Sequence, residues 1–189
     1  MNEIILDLET QNPFQFGNKN TKDLKISLVG IYHYGQNQFL AFPEEKLGEL
    51  WPLLEHADRI IGYNIKGFDF PVLNNYYSGN MAQFPALDIM DIIYQKLGFR
   101  VSLDDVARST LNIGKTGDGL KAIKLFREGK MDELCDYCLQ DVRLTRDLYE
   151  YGKKHGKLLY ENKLGKGEIA VDFNPSRDQR HSINFTLPI

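Results

Sequence analysis

Residues 3–9, Glu-Ile-Ile-Leu-Asp-Leu-Glu, decide the fold that the sequence predicts. After Glu3 the run is apolar on both faces until Asp7 and Glu9. A strand that is apolar on both faces belongs in the middle of a sheet that is covered on both sides. We therefore predict a central strand here, with acidic side chains at its carboxyl end.

Strands and helices alternate along the rest of the chain. Their order is three strands, a helix, a strand, a helix, a strand and then a helical run, which favours an α/β fold with a mixed sheet over a doubly wound one. The predicted elements after the first strand are a hairpin of Leu24–Tyr34 and Gln38–Phe42, a helix from Pro43 to Ala57, strand Arg59–Tyr63, helix Phe68–Tyr77, strand Phe84–Asp88, helices Ile89–Leu97, Leu103–Leu111, Leu120–Glu128 and Met131–Lys154, and a small hairpin over Leu158–Phe173 with its turn near Gly165–Gly167.

The composition predicts one folded unit without an overall basic charge. Of 189 residues, 42% are hydrophobic, and 23 Lys and Arg face 26 Asp and Glu for a formal net charge of −3. Such a chain can bury one substantial core but has no basic footprint for electrostatic wrapping of DNA. We expect a main domain over residues 1–157 and a C-terminal extension over residues 158–189 that packs on it.

The sequence predicts a cytoplasmic protein. Its apolar stretches are far shorter than the ~20 residues of a membrane span, and its N-terminus lacks the architecture of a signal peptide. Cys135 and Cys138 lie three apart in a helical pattern. A chain of this size does not need disulfides, so we expect both cysteines to be reduced and structural.

Asp7 and Glu9 are two residues apart on the predicted strand, so their side chains leave from the same face. Two buried carboxylates on one face repel each other unless a positive group lies between them. The alternative is that the strand ends at Leu6 and both acids lie in a solvated loop.

Asp141 falls in the middle of the apolar stripe of the long helix. An ionised carboxylate there costs several kcal/mol unless it is paired or bound to a metal. A buried ion pair, for example with Arg59 or Arg100, would also explain it. Tyr137 lies one turn earlier on the same face, within reach of whatever Asp141 binds, although a Tyr at this place is also ordinary core.

Asp69 adds a fourth carboxylate where a strand end runs into a helix start. Two residues before Pro71, it could simply cap that helix. Asp7, Glu9, Asp69 and Asp141 nevertheless lie on three separate elements, each at an interior-facing position or a strand end. Four converging acids would be strongly destabilising without a cation, and hard oxygen ligands suit Mg²⁺ or Mn²⁺.

Two such ions roughly 4 Å apart can activate a water on one side of a phosphodiester and stabilise the departing oxygen on the other. The four histidines lie in no triad-like setting, and no zinc-binding cysteine pattern is present.

Local basic residues could meet the phosphates of a nucleic acid. In the helix over Leu120–Glu128, Lys121, Lys124 and Arg127 lie opposite Ala122, Ile123 and Phe126. This face is either simply solvated or a rim that tracks phosphates. The glycine-rich segment 114–119 lacks the spacing of a P-loop, and we interpret it as a flexible loop close to substrate.

Three motifs together resemble a known family. Asp7-Leu8-Glu9-Thr10, Asn64-x-x-x-Phe68-Asp69 and Tyr137-x-x-x-Asp141 are similar to the exonuclease motifs of the DEDD superfamily, which has the RNase H-like (DnaQ-like) fold. The sister subgroup has His where this chain has Asp136, so the resemblance is to the subgroup with Tyr. The chain looks especially like the proofreading exonuclease domain of family B DNA polymerases, and we expect no polymerase domain within these 189 residues.

The resemblance implies an RNase H-like mixed five-stranded sheet and specific roles for residues of this chain. It implies that Asp7, Glu9, Asp69 and Asp141 bind two Mg²⁺ or Mn²⁺ ions and that Tyr137 positions the attacking water. Thr10 and Asn64 match positions that approach the 3′-terminal nucleotide. Phe68 could stack on a base or be plain core, and Asp88 matches an acid at a strand end or is a helix cap.

We expect a 3′→5′ exonuclease that acts on single-stranded or frayed DNA ends and releases nucleoside 5′-monophosphates. The rivals are an exoribonuclease with the same site and a nucleic-acid-binding module without turnover, as part of a larger replication, repair or defence assembly.

Overall fold

A five-stranded sheet forms the centre of the protein. The structure is a computed structural model that describes residues 2–114 and 119–174. The strands of the sheet stand in the order β3-β2-β1-β4-β5, so β1 is central, as predicted. Their bounds are β1 Glu3–Thr10, β2 Ile26–His33, β3 Gln38–Pro43, β4 Arg59–Gly62 and β5 Ala86–Asp88.

The sheet has mixed direction. Strand β1 pairs antiparallel with β2, and β2 pairs antiparallel with β3. On the other side of β1, strands β4 and β5 run parallel to it. The predicted α/β fold with a mixed sheet is therefore confirmed, and the carboxyl ends of β1, β4 and β5 lie at the same edge.

Helices cover both faces of the sheet. Within the described residues they are α1 Leu47–Glu55, α2 Asp69–Leu73, α3 Ile89–Leu97, α4 Leu103–Leu111, α5 Gly119–Arg127 and α6 Met131–His155. Two predicted helices were too long. The first begins with a separate 3₁₀ turn at Glu44–Lys46, and α2 ends at Leu73 because turns that contain Asn74 and Asn75 follow it.

The alternation of β1 divides the core into two layers. Ile4, Leu6 and Leu8 are buried in the cluster that includes residues of α1 and α2. Ile5 belongs to the opposite cluster, together with buried residues of α6. Because successive strand residues alternate, Asp7 and Glu9 leave β1 on the same face as Ile5. The long helix packs on that face, against β1 and β2.

A second, two-stranded sheet follows α6. It consists of β6 Lys157–Asn162 and β7 Gly165–Ala170, paired antiparallel. The predicted turn near Gly165–Gly167 was wrong by two residues, because Asn162 pairs with Gly165 and the turn is Lys163-Leu164. The side chain of Asn162 accepts a hydrogen bond from the amide of Leu164 at 2.9 Å, which favours this tighter turn.

The segment after β7 is anchored through a buried polar cluster at the start of β1. The guanidinium of Arg59 donates to the Glu3 carboxylate at 2.6 Å and to the carbonyl of Phe173 at 2.9 Å. The Tyr149 hydroxyl lies 2.8 Å from Glu3, and the ring of Phe173 stacks on that of Tyr149. A Cβ at Gly152 would lie 2.3 Å from Phe173, so this glycine makes room for the ring.

The predicted division at residue 157 stays a prediction. Most of the glycine-rich segment 114–119 and residues 175–189 of the predicted extension lie outside the described residues. None of the helices in the described part is long and apolar enough to cross a membrane.

Candidate metal centre

Three carboxylates meet where β1 ends and α6 crosses it. Asp7, Glu9 and Asp141 each offer an oxygen that lies within 4.8 Å of the others. Asp7 is half-buried, and Glu9 and Asp141 are 7% and 2% exposed. Three acids this close and this buried repel one another, and their oxygens are the ligands that Mg²⁺ and Mn²⁺ prefer. The donor set therefore fits a divalent metal ion.

The long helix reaches the sheet through a gap at Gly30. This glycine on β2 stands opposite Asp7, and a Cβ there would lie only 2.8 Å from the Sγ atom of Cys138. The same Sγ lies 3.8 Å from both the carbonyl oxygen and Oδ2 of Asp7. The Gly30–Cys138 contact thus brings α6 close enough for Asp141 to meet the acids of β1.

Cys138 is a free, buried thiol, and Cys135 is also free, as predicted. Burial raises the pKa of Cys138, and the negative charges of Asp7, Glu9 and Asp141 raise it further. The thiol therefore stays protonated beside the carboxylates.

Asp69 lies beside β1, between the levels of Asp7 and Glu9. Its Oδ1 accepts a hydrogen bond from the amide of Leu8 at 3.1 Å. The register of β4 against β1 ends at Ile5, so the carboxylate takes a place that a neighbouring strand would otherwise fill. Asp69 is not in the group of oxygens within 4.8 Å. The structure therefore brings three of the four predicted ligands together and places the fourth alongside.

Burial also governs the protonation of Asp69. It raises the pKa of this carboxyl to about 7, and the charge of Asp88 adds to the rise, whereas hydrogen bonds from the amides of Asp69 and Leu8 lower it. A cation beside the carboxylate would favour its ionised form.

Tyr137 lies one turn before Asp141 on the same face of α6. It is 4% exposed and packs among buried residues that include Leu134 and Cys138. The Nζ atom of Lys121, on α5, lies 5.4 Å from the centroid of its ring. The ring is thus held by core packing and by a cation, next to the carboxylate cluster.

An ion pair with Arg59 or Arg100 does not explain Asp141. Arg59 pairs with Glu3 at 2.6 Å in the cluster at the start of β1. Arg100 is exposed, and the structure gives it no ion pair with Asp141. Within the described residues, neither of these two arginines is therefore the partner of Asp141.

The basic face predicted on α5 is exposed. Lys121, Lys124 and Arg127 are exposed, whereas Ala122 and Ile123 are buried. Lys124 lies 3.8 Å from Glu128, which also pairs with Lys130 at 3.1 Å. Part of the positive charge of this face is therefore compensated.

The three remaining predicted site residues lie around the same edge of the sheet. Asn64 has a left-handed backbone with φ of 69°. Thr10 follows a bulge in the β1–β2 pairing, and its hydroxyl donates to the carbonyl of Asn12 at 3.0 Å. Phe68 is half-buried, and its ring makes an edge contact with Phe14 at 6.0 Å between centroids.

Sequence reasoning missed three features of this region. Gly30 and Cys138 were not connected, because a glycine in a strand does not reveal which helix approaches it. Phe14 and Phe16, exposed at 38% and 108%, lie on the loop after β1, and two Phe in a polar loop were a signal that could have been used. Asp88 was noted as a possible cap but not linked to Asn64.

Comparisons with known proteins identify the superfamily and the fold. A family model for RNase_H_2, of the RNase_H superfamily, matches residues 4–152. The solved structure of the family B DNA polymerase from the hyperthermophilic archaeon Pyrobaculum calidifontis is similar at a TM-score of 0.62 and 18% sequence identity, over 80% of this chain. This chain spans only 24% of that polymerase, and the similarity is one of fold. No curated protein matches the sequence.

Proposed function

The chain belongs to the RNase_H superfamily, and from this membership we propose that it is a metal-dependent nuclease that removes nucleotides from the 3′ end of a DNA strand. The observation that carries the proposal is the cluster of Asp7, Glu9 and Asp141 at the end of β1. Asp69 would join these ligands on the side of Leu8. The similar fold of a DNA polymerase favours DNA over RNA.

The roles of the residues follow from their places. The three clustered carboxylates and Asp69 would hold two Mg²⁺ or Mn²⁺ ions, which supply activation of a water and stabilisation of the departing 3′-oxygen. Tyr137 would orient the attacking water through its hydroxyl. Lys121, over the ring of Tyr137, would place a positive charge near the scissile phosphate. No serine, cysteine or histidine is needed as a nucleophile.

The aromatic residues near the site support an unpaired substrate end. Phe16 is fully exposed, and Phe14 contacts the ring of Phe68, which directly precedes Asp69. Exposed aromatic rings bind single-stranded nucleic acid by stacking on its bases. Thr10 and Asn64 would approach the terminal nucleotide from the two loops beside them.

A time course with 5′-labelled oligonucleotides tests this function. We expect Mn²⁺ or Mg²⁺ to produce a ladder that shortens from the 3′ end of single-stranded DNA. Asp7→Ala should abolish the ladder, whereas the control Asp132→Ala, at an exposed acid in the first turn of α6, should leave it unchanged. Equal nucleotide release by wild type and Asp7→Ala would contradict the assigned site.

The same assay decides between the rivals. Faster shortening of a matched RNA would make the protein an exoribonuclease. Binding of both strands without any shortening, at every metal concentration, would leave a nucleic-acid-binding module.

A further inference from the structure

Asp88 links the site loop to the neighbouring helix. This residue is the last of β5, is 1% exposed, and stands opposite Gly62 at the end of β4. Its Oδ1 accepts hydrogen bonds from the amides of Met90 at 3.0 Å and Asp91 at 3.3 Å, which caps α3. The predicted cap is therefore present, but it uses only part of the carboxylate.

The rest of the carboxylate holds the loop between β4 and α2. Oδ1 also accepts from the amide of Asn64 at 2.8 Å, and Oδ2 accepts from the amide of Lys66 at 3.0 Å. Within the described residues, Asp88 is the only side chain that accepts a hydrogen bond from either of these two amides.

The backbone of this loop is tightly constrained at Gly62 and Asn64. Asn64 adopts a left-handed backbone, which is unusual for a residue other than glycine. At Gly62 a Cβ would lie 2.0 Å from Cγ2 of Ile65 and 2.8 Å from the carbonyl of Leu6. A tight, strained loop persists only when its surroundings fix it, and Asp88 supplies two of the bonds that do so.

Two hydrogen bonds and the backbone between them connect Asp88 to the residue before Asp69. The amide of Asn64 is bound by Asp88, and the carbonyl of Asn64 accepts from the amide of Phe68 at 3.0 Å. Asp69 is the next residue, and its own carboxylate is bound by the amide of Leu8. Asp69 is thereby fixed beside β1 in two ways: its carboxylate is bound by Leu8, and the backbone before it is held through Asn64 by Asp88.

We propose that Asp88 is a positioning residue that sets the place of Asp69 beside β1 by holding the backbone of the loop at Asn64 and Lys66. The inference rests on the proposed function, because it assigns Asp69 to the metal centre. Asp88 itself touches neither metal nor substrate in this assignment. Partners behind metal ligands commonly change metal affinity or activity by about 10- to 100-fold when they are replaced.

Asp88→Ser separates the two tasks of this carboxylate. Serine is a good helix cap and can still accept from the amides of α3, but its short side chain does not reach the loop. We expect Asp88→Ser to remain folded, to weaken Mn²⁺ binding to the free protein about 10- to 100-fold by electron paramagnetic resonance, and to lower kcat to a similar extent with little change in KM. Amide hydrogen exchange at Asn64 and Lys66 should become faster.

Two further variants keep the test decisive. Asp88→Asn, which is nearly isosteric, should lose mainly the bond to Lys66 and show a smaller effect of the same kind; it serves if Asp88→Ser does not fold. Asp91→Asn removes a half-buried acid of the same helix turn that pairs with the Lys66 side chain at 3.5 Å, and it should leave Mn²⁺ affinity and kcat unchanged.

The failure of the inference is distinguishable from that of the proposed function. A wild-type protein that neither binds Mn²⁺ nor shortens DNA would overturn both. An active wild type together with a folded Asp88→Ser variant of equal Mn²⁺ affinity and kcat would overturn the positioning role alone.

Discussion

Tyr137 is the residue whose proposed role depends most on a single atom. Tyr137→Phe keeps the buried ring and removes only the hydroxyl that would orient the water. Loss of one well-placed hydrogen-bonding group in an active site lowers kcat by roughly 100-fold or more. We expect that loss with unchanged Mn²⁺ affinity and an unchanged melting temperature. Tyr151→Phe, at a half-buried Tyr on the same helix, is the matched control; equal kcat values for both variants would remove Tyr137 from the mechanism.

Lys121 and Lys124 lie on one face of α5 but differ in their partners. Lys121 lies over the ring of Tyr137, whereas Lys124 lies 3.8 Å from Glu128. A plot of the logarithm of the binding constant against the logarithm of the salt concentration falls with a negative slope, and each lost phosphate contact reduces the steepness of that slope by about 0.7 for a single strand. We expect Lys121→Ala to reduce the steepness by about this amount and Lys124→Ala to reduce it less. Binding to a fluorescent oligonucleotide across a salt series measures it, and an unchanged slope for Lys121→Ala would contradict phosphate contact.

At the scale of elements, the packing of α6 on β2 depends on Gly30. A methyl group there would press on Sγ of Cys138 and on side chains of Val142 and Leu139, at 2.8, 3.1 and 3.2 Å. Overpacking of this kind costs about 1–3 kcal/mol in the free energy of unfolding. We expect Gly30→Ala to lose that stability and to weaken Mn²⁺ binding, since Asp141 moves with the helix.

A second substitution checks the cause. Cys138→Ala in the Gly30→Ala background removes the closest contact and should restore part of the stability and of the Mn²⁺ affinity. Gly48→Ala is the control, because no atom lies within 4 Å of a Cβ at that position in α1. Denaturant unfolding and metal titration measure both quantities. A double variant with the same stability and Mn²⁺ affinity as Gly30→Ala would show that the Gly30–Cys138 contact does not set the distance between α6 and β2.

Elements with a strong pattern were predictable from the sequence, and elements set by contacts were not. The apolar run of β1 and the 25-residue periodic helix Met131–His155 appear as predicted, because burial enforces both patterns. The early end of α2 and the turn Lys163-Leu164 depend on single side-chain hydrogen bonds or local turns. The convergence of Asp7, Glu9 and Asp141 could be predicted from the strand and helix faces on which they lie. The place of Asp69 could not, because it depends on the loop that Asp88 holds.

For the whole molecule, the segment after α6 is expected to be part of the folded unit. Phe173 is fully buried, stacks on Tyr149 and fills the space over Gly152. Phe173→Ala should lower the free energy of unfolding by about 3–5 kcal/mol. Phe16→Ala, at a fully exposed ring, should change it by less than about 0.5 kcal/mol.

The chain cut after residue 157 extends this test to the predicted division. It loses the ring of Phe173 and the carbonyl that binds Arg59, so we expect it to be much less stable than the full chain. Its remaining folded fraction should bind Mn²⁺ normally, because this anchor lies at the Glu3 end of β1, away from Asp7. A shortened chain of full stability would make residues 158–189 a dispensable addition.

Strand β1 and helix α6 touch at both ends of a shared span. Asp141 meets Asp7, and eight residues later Tyr149 meets Glu3. Eight helical residues rise about 12 Å and four strand residues about 13 Å, so the two segments between the contacts have nearly equal lengths. Side chains alternate between the two faces of a strand, so insertion or deletion of one residue between Glu3 and Asp7 would place either Glu3 or Asp7 and Glu9 on the opposite face of the sheet, away from α6. Evolution can therefore vary the side chains of this stretch far more easily than its length, and natural relatives that keep both contacts should show no gaps there in an alignment.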